Sequence, residues 1–134
     1  MRDGIGALLL VDDDERVREA LVALLEAQGY PVVGAANGRE ALDVLRVRGL
    51  RPGLILLDLM MPVMDGWQFR AAQLADAELA AIPVVVFSAH PRARETAVSL
   101  RAARVIAKPL DIDELLEVVR AYCATGDLRP GGSG

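Results

Sequence analysis

The feature that most constrains this chain is a series of short apolar runs, each closed by a polar side chain. The clearest are Ala7–Val11, Leu54–Leu57 and Ile82–Phe87. A run without polar alternation is typical of a strand buried on both faces, as in a parallel sheet. With the shorter segments Pro31–Ala36 and Arg104–Ala107, the sequence predicts five strands.

Segments with helical spacing of apolar residues lie between these strands. In chain order, the predicted helices are Asp14–Gln28, a segment opened by Asn37 with a capping-box-like Glu40, a segment from Asp65-Gly66 to Leu74, a segment from about Arg92 to Arg101, and a segment capped by Asp111 with Glu114 that continues to Tyr122. Alternating strands and helices predict an α/β fold, with an open parallel sheet and helices on both of its faces.

In such sheets, ligands bind beyond the carboxyl ends of the strands. The residues at these ends are Asp12 and Asp13 (first strand), Asp58 (third), Ser88 (fourth) and Lys108 (fifth). Two carboxylates about 5 Å apart repel by roughly 3 kcal/mol at an effective dielectric of 20. A hard divalent cation, for which we expect Mg²⁺, resolves this repulsion and would also neutralise a phosphoryl group on one carboxylate. The hydroxyl and the ammonium supply donors for phosphoryl oxygens.

Each of these residues taken singly also has a purely structural interpretation. Asp14 is expected to be a helix N-cap rather than a ligand, and Asp12 and Asp13 could simply favour the start of the helix. A lone serine at a strand end is commonly just hydrogen-bonded. The coincidence of five such residues at one edge of the sheet favours a functional site.

Composition excludes several classes of function. A net charge of −4 without a basic stripe disfavours nucleic-acid binding. The single cysteine, Cys123, rules out an internal disulfide, fits a reducing cytoplasmic location and is expected to be a small apolar residue on a helix. No apolar stretch indicates a secretory signal or a membrane span. We expect one domain over residues 1–124, and a disordered tail or linker over 125–134.

Four segments closely resemble response-regulator receiver domains: Leu8–Asp13, Leu54–Gly66, Pro83–Ala89 and Lys108–Leu110. The resemblance extends over about Ala7 to Ala124. It implies a flavodoxin-like, doubly wound sheet of five strands and five helices, with strand order 2-1-3-4-5. It also implies a phosphorylation-dependent switch of a two-component phosphorelay.

The resemblance assigns a role to each matching residue: Asp58 as phosphoacceptor, Asp13 as direct Mg²⁺ ligand, Asp12 as water-mediated ligand, Met60 as ligand through its backbone carbonyl, and Ser88 and Lys108 as partners of the phosphoryl group. It also implies that the Lys108-Pro109 bond is cis. The phosphoryl donor would be a histidine kinase, a phosphotransfer protein or a small acyl phosphate. The domain would itself catalyse transfer and later hydrolysis, act as a monomer or weak dimer, and signal through a partner or an output domain that this sequence lacks.

Two positions set this chain apart or leave alternatives open. Val105 occupies the place where the family usually has Tyr or Phe, which puts the usual aromatic relay in doubt. His90 is either a surface loop residue or a side chain that overhangs the phosphoryl group.

The alternative functions are a degenerate receiver that serves only as a docking module, and a flavin-binding protein. The latter needs a phosphate-cradling loop, and three consecutive aspartates after the first strand oppose one.

Overall fold

The computed structural model describes residues 7–90 and 92–123, which form a parallel sheet flanked by helices. In chain order, the elements are β1 (Leu8–Val11), α1 (Glu15–Ala27), β2 (Val32–Ala35), α2 (Gly38–Arg46), β3 (Leu54–Asp58), α3 (Gly66–Leu74), β4 (Val84–Ser88), α4 (Ala93–Ser99), β5 (Arg104–Ala107) and α5 (Ile112–Tyr122). Every predicted element is present, and α4 is shorter than expected. The predicted tail over 125–134 lies outside the described residues.

The sheet has the strand order β2-β1-β3-β4-β5, and all neighbouring strands are parallel. This confirms the flavodoxin-like topology. In β1 and β3, alternate residues enter two different cores. Leu9 and Ile55 belong to the core that includes α2 and α3 residues, whereas Leu8 and Leu54 belong to the core that includes α1 and α5 residues. Both faces are covered, which explains why these strands are apolar at every position.

Helix caps agree with the sequence at most ends and differ at one. Asp65 and Gln68 form a reciprocal capping box at the start of α3. At α2, the Asn37 side chain accepts from the backbone N–H of Glu40 at 2.9 Å, as expected. The Glu40 carboxylate, however, accepts from the N–H of Ala36 rather than from that of the cap residue. The capping box predicted at α2 is therefore wrong in its second bond, since the glutamate reaches one residue further back.

The single cysteine lies just beyond α5. Cys123 is the C-cap residue of that helix, and its side chain is buried with Sγ 3.7 Å from the carbonyl oxygen of Ala7. Burial raises the pKa of the thiol to about 11. The residue therefore stays protonated at neutral pH and packs as a small apolar group. Within the described residues, no helix is both long and apolar enough to cross a membrane.

A buried polar network that the sequence did not reveal connects α3 to the end of α4. Arg70 is only 5% exposed, and it donates to the carbonyls of Leu100 (2.8 Å) and Arg101 (2.9 Å) and to Oε1 of Gln73 (2.7 Å). The amide of Gln73 donates in turn to two carbonyls of the segment between α3 and β4. Burial, followed by the charge of Arg101, lowers the pKa of the Arg70 guanidinium. The network fixes the C-terminal end of α4 to α3.

Replacing Arg70 by methionine tests the contribution of this network to stability. Arg70→Met should lower the free energy of unfolding by about 2–4 kcal/mol, because each buried polar group left without a partner costs about 1–3 kcal/mol. Urea denaturation measures the change. The control is Arg46→Met, which removes a half-exposed arginine paired with Asp76 and should cost at most about 1 kcal/mol. Equal, small losses for the two variants would contradict a stabilising role.

Candidate functional site

The predicted acidic residues meet at the carboxyl edge of the sheet. Asp58 is the last residue of β3, and Asp12 and Asp13 directly follow β1, the neighbouring strand. One carboxylate oxygen from each of the three lies within 4.8 Å of the others. The Nζ of Lys108, which follows β5, lies 3.4 Å from Asp12 Oδ2 and 3.5 Å from Asp58 Oδ2. The fold therefore brings four of the predicted site residues together.

Two of the three carboxylates of the cluster are largely removed from water. Asp12 is fully buried and Asp58 is 5% exposed, whereas Asp13 is exposed. Desolvation raises the pKa of Asp58 to about 6, the charge of Lys108 opposes this rise, and the charge of Asp12 adds to it. The charge of Lys108 thus offsets the desolvation of Asp58 only in part. A hard divalent cation fits the three-carboxylate set, and the exposed Asp13 leaves the cluster open to solvent.

The loop that bears the first two aspartates is held by hydrogen bonds. Asp14 is the N-cap of α1, as predicted, and its side chain accepts from two backbone N–H groups of the first turn. Its own N–H donates to Asp12 Oδ1 at 2.9 Å. Arg18 Nη1 donates to the backbone carbonyl of Asp12 at 2.7 Å. The sequence did not single out Arg18. The only signal was its position four residues after the N-cap, which places it one helical turn from the loop.

Lys108 is fixed by contacts on several sides. Its bond to Pro109 is cis, as predicted. Its backbone N–H donates to the carbonyl of Ser88 at 3.0 Å, so β4 and β5 stay paired up to the site. Its Nζ lies 4.9 Å from the ring centroid of Phe87, within the range of a cation–π interaction. No signal in the sequence marks Phe87 as part of the site.

Ser88 is buried at the end of β4, with its hydroxyl engaged in its own loop. Its Oγ accepts from the backbone N–H of His90 at 3.0 Å. Within residues 7–90 and 92–123, its side chain makes no hydrogen bond to Asp58 or Lys108. The structure therefore places Ser88 at the rim of the site with a bond that must break if the hydroxyl turns toward Asp58.

His90 connects the end of β4 to the start of α4. The residue is half-buried, and its Nδ1 accepts from the backbone N–H of Arg92 at 3.0 Å. Its ring meets Trp67 edge-on, with 6.4 Å between ring centroids. His90 is therefore not a free surface side chain, because its ring contacts Trp67 and its Nδ1 accepts a hydrogen bond from Arg92. Its action on a phosphoryl group stays a prediction.

The loop between β3 and α3 approaches the acceptor carboxylate closely. The backbone N–H of Met60 lies 3.4 Å from Asp58 Oδ1, and the predicted ligand role of the Met60 carbonyl stays a prediction. Val63 has φ 68°, a left-handed conformation that costs a β-branched residue about 1–2 kcal/mol. Gly66 allows α3 to begin against β3, because a Cβ there would lie 2.9 Å from the carbonyl oxygen of Asp58.

Val105 leaves open space next to the site. It is half-buried in β5 and lines a cavity of about 350 Å³. Ala89, Ala93 and Ala107 line the same cavity, which extends to Ser88. These short side chains do not fill the space beside the β4–α4 loop.

The elevated pKa of Asp58 gives a testable pH dependence of stability without divalent metal. Because the folded-state pKa of about 6 exceeds the ordinary value of 3.8, the contribution of Asp58 to stability is fully present below about pH 4. As the pH rises through about 6 this contribution is lost, which lowers the free energy of unfolding by on the order of 2–3 kcal/mol. The Asp58→Asn variant has no carboxyl group at this position, so its stability does not show this loss. Urea denaturation in EDTA should therefore show the stability of the variant rising relative to wild type across this window. A constant difference would contradict the burial effect.

Comparison with known proteins agrees with this geometry. The family model of the response regulator receiver domain matches residues 8–120. Response regulator Rre1 of Synechocystis sp. is 38% identical over 121 residues, which cover 88% of this chain and 52% of Rre1. Sporulation initiation phosphotransferase F of Bacillus subtilis is 34% identical, with 86% of this chain and 91% of that protein covered. The chain thus spans about half the length of Rre1 and most of the phosphotransferase.

Solved structures show the same architecture. The response regulator protein TrrA of Thermotoga maritima, crystallised in complex with Mg(2+)-BeF, superposes with a TM-score of 0.75 at 27% identity. The match covers 88% of this chain and 99% of that one. The present chain has a five-stranded parallel sheet with a cluster of carboxylates at the strand ends, and the family model matches its residues 8–120. This chain therefore belongs to the response regulator receiver domains of two-component signalling.

Proposed function

We propose that this receiver domain is a phosphorylation-dependent switch in which Asp58 accepts a phosphoryl group. The donor would be a histidine kinase, a phosphotransfer protein or a small acyl phosphate. The observation that carries the proposal is the placement of one buried carboxylate at the end of a central strand, 3.5 Å from the ammonium of Lys108. Such a carboxylate is protected from bulk water, and a cation lies next to the position where negative charge would develop.

The proposed transfer is a displacement at phosphorus. An Asp58 carboxylate oxygen forms a bond to phosphorus, and the bond from phosphorus to the donor breaks. That donor bond is P–N in a phosphohistidine and P–O in an acyl phosphate, and the leaving group keeps the electron pair. The product is an aspartyl phosphate, with Lys108 beside its oxygens. Hydrolysis by water later breaks the bond between Asp58 and the phosphoryl group, releases inorganic phosphate and returns the carboxylate, so the domain would catalyse its own phosphorylation and its own dephosphorylation.

Mg²⁺ is the metal that we propose for the cluster of three aspartates. Asp12, Asp13 and Asp58 would hold it together with the backbone carbonyl of Met60. When bound, it supplies positive charge that offsets both the carboxylates and the phosphoryl oxygens. Two observations support this: the oxygens of the cluster lie within 4.8 Å of one another, and TrrA was crystallised with Mg(2+)-BeF.

Signal output would require a further component. The chain spans only about half of Rre1, so we propose that a partner protein or an additional domain reads the state of Asp58.

We propose that the domain itself is a monomer or weak dimer and, with its single cysteine, acts in the cytoplasm. The rival function, a docking module that is never phosphorylated, is less favoured because all five chemical groups of the site are present at the edge of the sheet.

Incubation with acetyl phosphate and Mg²⁺ tests the assignment of the acceptor. Wild type should gain the mass of one phosphoryl group, visible by intact mass spectrometry, and Asp58→Asn should gain none. The control variant Asp43→Asn removes an exposed acid on α2 and should be labelled like wild type. Label that persists in Asp58→Asn would place the acceptor elsewhere, and unlabelled wild type would favour the docking module.

The switch would act first on the start of α4. Turning the Ser88 hydroxyl toward a phosphoryl group breaks its bond with the N–H of His90, whose Nδ1 in turn accepts from Arg92. The helix has seven residues, and the side chain of its N-cap residue, Arg92, makes no capping hydrogen bond. Its C-terminal end is held by Arg70. The loosely tied end is therefore the end connected to the site. Val105, by contrast, has no ring to move and one stiff side-chain torsion.

Amide chemical shifts with and without beryllofluoride test this asymmetry. We expect the largest changes over residues 88–94, and smaller ones at Arg104–Ile106 and along α5, because Val105 offers no ring to relay the change. Val105→Tyr should enlarge the response of β5 by adding a ring next to the cavity. Large shifts in β5 and α5 of the wild type, with residues 88–94 unperturbed, would contradict the proposal.

A further inference from the structure

Arg18 contacts the acidic loop through the backbone and not through a carboxylate. Its Nη1 donates to the carbonyl oxygen of Asp12 at 2.7 Å, a short bond with a charged donor. Within the described part of the chain, no carboxylate lies within ion-pair distance of Arg18. Its guanidinium is therefore directed at the main chain of the loop.

The bonded carbonyl lies at a position that controls the orientation of Asp13. The carbonyl of Asp12 and the backbone nitrogen of Asp13 belong to one planar peptide unit. A donor that fixes this carbonyl therefore fixes the plane from which the Asp13 side chain departs. The other groups of Asp12 are held separately, its N–H by the carbonyl of Ala35 and its Oδ1 by the N–H of Asp14. Arg18 is thus the side chain that ties the carbonyl.

A glycine in the neighbouring strand makes room for the arginine. Gly34 lies in β2, opposite Leu10 of β1. A Cβ at this position would lie 3.2 Å from Cδ and 3.3 Å from Cγ of Arg18, closer than ordinary contact. Glycine weakens a strand interior, because it adds backbone freedom and offers no side chain to pack. Its presence here lets the stem of Arg18 lie flat against β2 while the guanidinium reaches the loop.

We propose that Arg18 is a positioning residue for the metal site, which holds the Asp12–Asp13 peptide so that both carboxylates face Asp58. The proposal rests on the proposed Mg²⁺ site, for which the three aspartates supply the ligands. Two physical effects of Arg18 oppose each other. Its positive charge near the cluster disfavours a cation, whereas its hydrogen bond orders the ligands. We infer that the ordering effect is the larger one.

Calorimetric titration of the metal-free protein with MgCl₂ separates these two effects. Arg18→Met keeps most of the stem but removes the charge and the donors, and we expect about tenfold weaker Mg²⁺ binding, the usual scale for loss of a group that orients a ligand. Gly34→Ala keeps the charge and the donors but displaces the stem, and we expect a smaller loss in the same direction. If charge alone mattered, Arg18→Met would bind Mg²⁺ more tightly and Gly34→Ala would be unchanged.

A matched control removes an equal charge from the same helix. Arg16 is exposed near the start of α1, and Arg16→Met should leave the Mg²⁺ affinity close to that of wild type. A loss in Arg16→Met equal to that in Arg18→Met would overturn the proposal, since the effect would then be a general one of helix charge. Urea denaturation in EDTA verifies that each variant is folded before titration.

A second readout distinguishes positioning from general damage. With acetyl phosphate, Arg18→Met should be labelled slowly at low Mg²⁺ and close to the wild-type rate at saturating Mg²⁺, because a misplaced ligand set can still be filled. A rate that stays low at saturation would overturn the positioning role. The failure of the proposed function is separate: wild type that shows no heat with MgCl₂ would refute the Mg²⁺ site itself, whereas equal binding by wild type and Arg18→Met would refute only the role of Arg18.

Discussion

Two carboxylates at the buried edge of the sheet face one ammonium group, and the arrangement of the site follows from that imbalance. Asp12 and Asp58 lie at the ends of strands whose side chains fill both cores, so water cannot solvate them fully. Lys108 approaches both acids, yet burial still raises the pKa of Asp58 to about 6. A second cation would relieve the remaining repulsion, and the added positive charge would suit a phosphoryl anion. The same imbalance would account both for the proposed metal binding and for the proposed phosphoryl acceptance.

Hydrogen bonds hold one side of the site more extensively than the other. Hydrogen bonds from Asp14 and Arg18 hold the acidic loop at the end of β1. On the opposite side, Ser88 is connected to α4 through one hydrogen bond to His90, which accepts in turn from the N–H groups of Arg92 and Ala93. The far end of α4 is anchored by the buried guanidinium of Arg70. A change of charge at the site would therefore be expressed where the fewest interactions oppose movement.

Much of this architecture could be predicted from the sequence because its signals are local. Unbroken apolar runs predicted three of the five strands, and the N-cap at Asp14 followed from residue type and position alone. The second bond of the capping box at α2 was wrong, because the target of the Glu40 side chain depends on the direction of the incoming backbone. Arg70 was not recognised, because arginine is normally found at the surface and its partners here, Leu100 and Arg101, are backbone carbonyls thirty or more residues away.

The sequence by itself determined the order of the elements and the chemical groups at the strand ends, since both follow from residue type and periodicity. Only the tertiary structure decided how far these groups lie from one another and from water. Desolvation and Coulomb energies depend on those distances, which spacing along the chain does not set. The elevated pKa of Asp58 and the open space beside Val105 arise from packing between elements distant in sequence. The bond from Arg18 to the acidic loop spans only six residues, but the room for the Arg18 stem comes from Gly34 in the neighbouring strand.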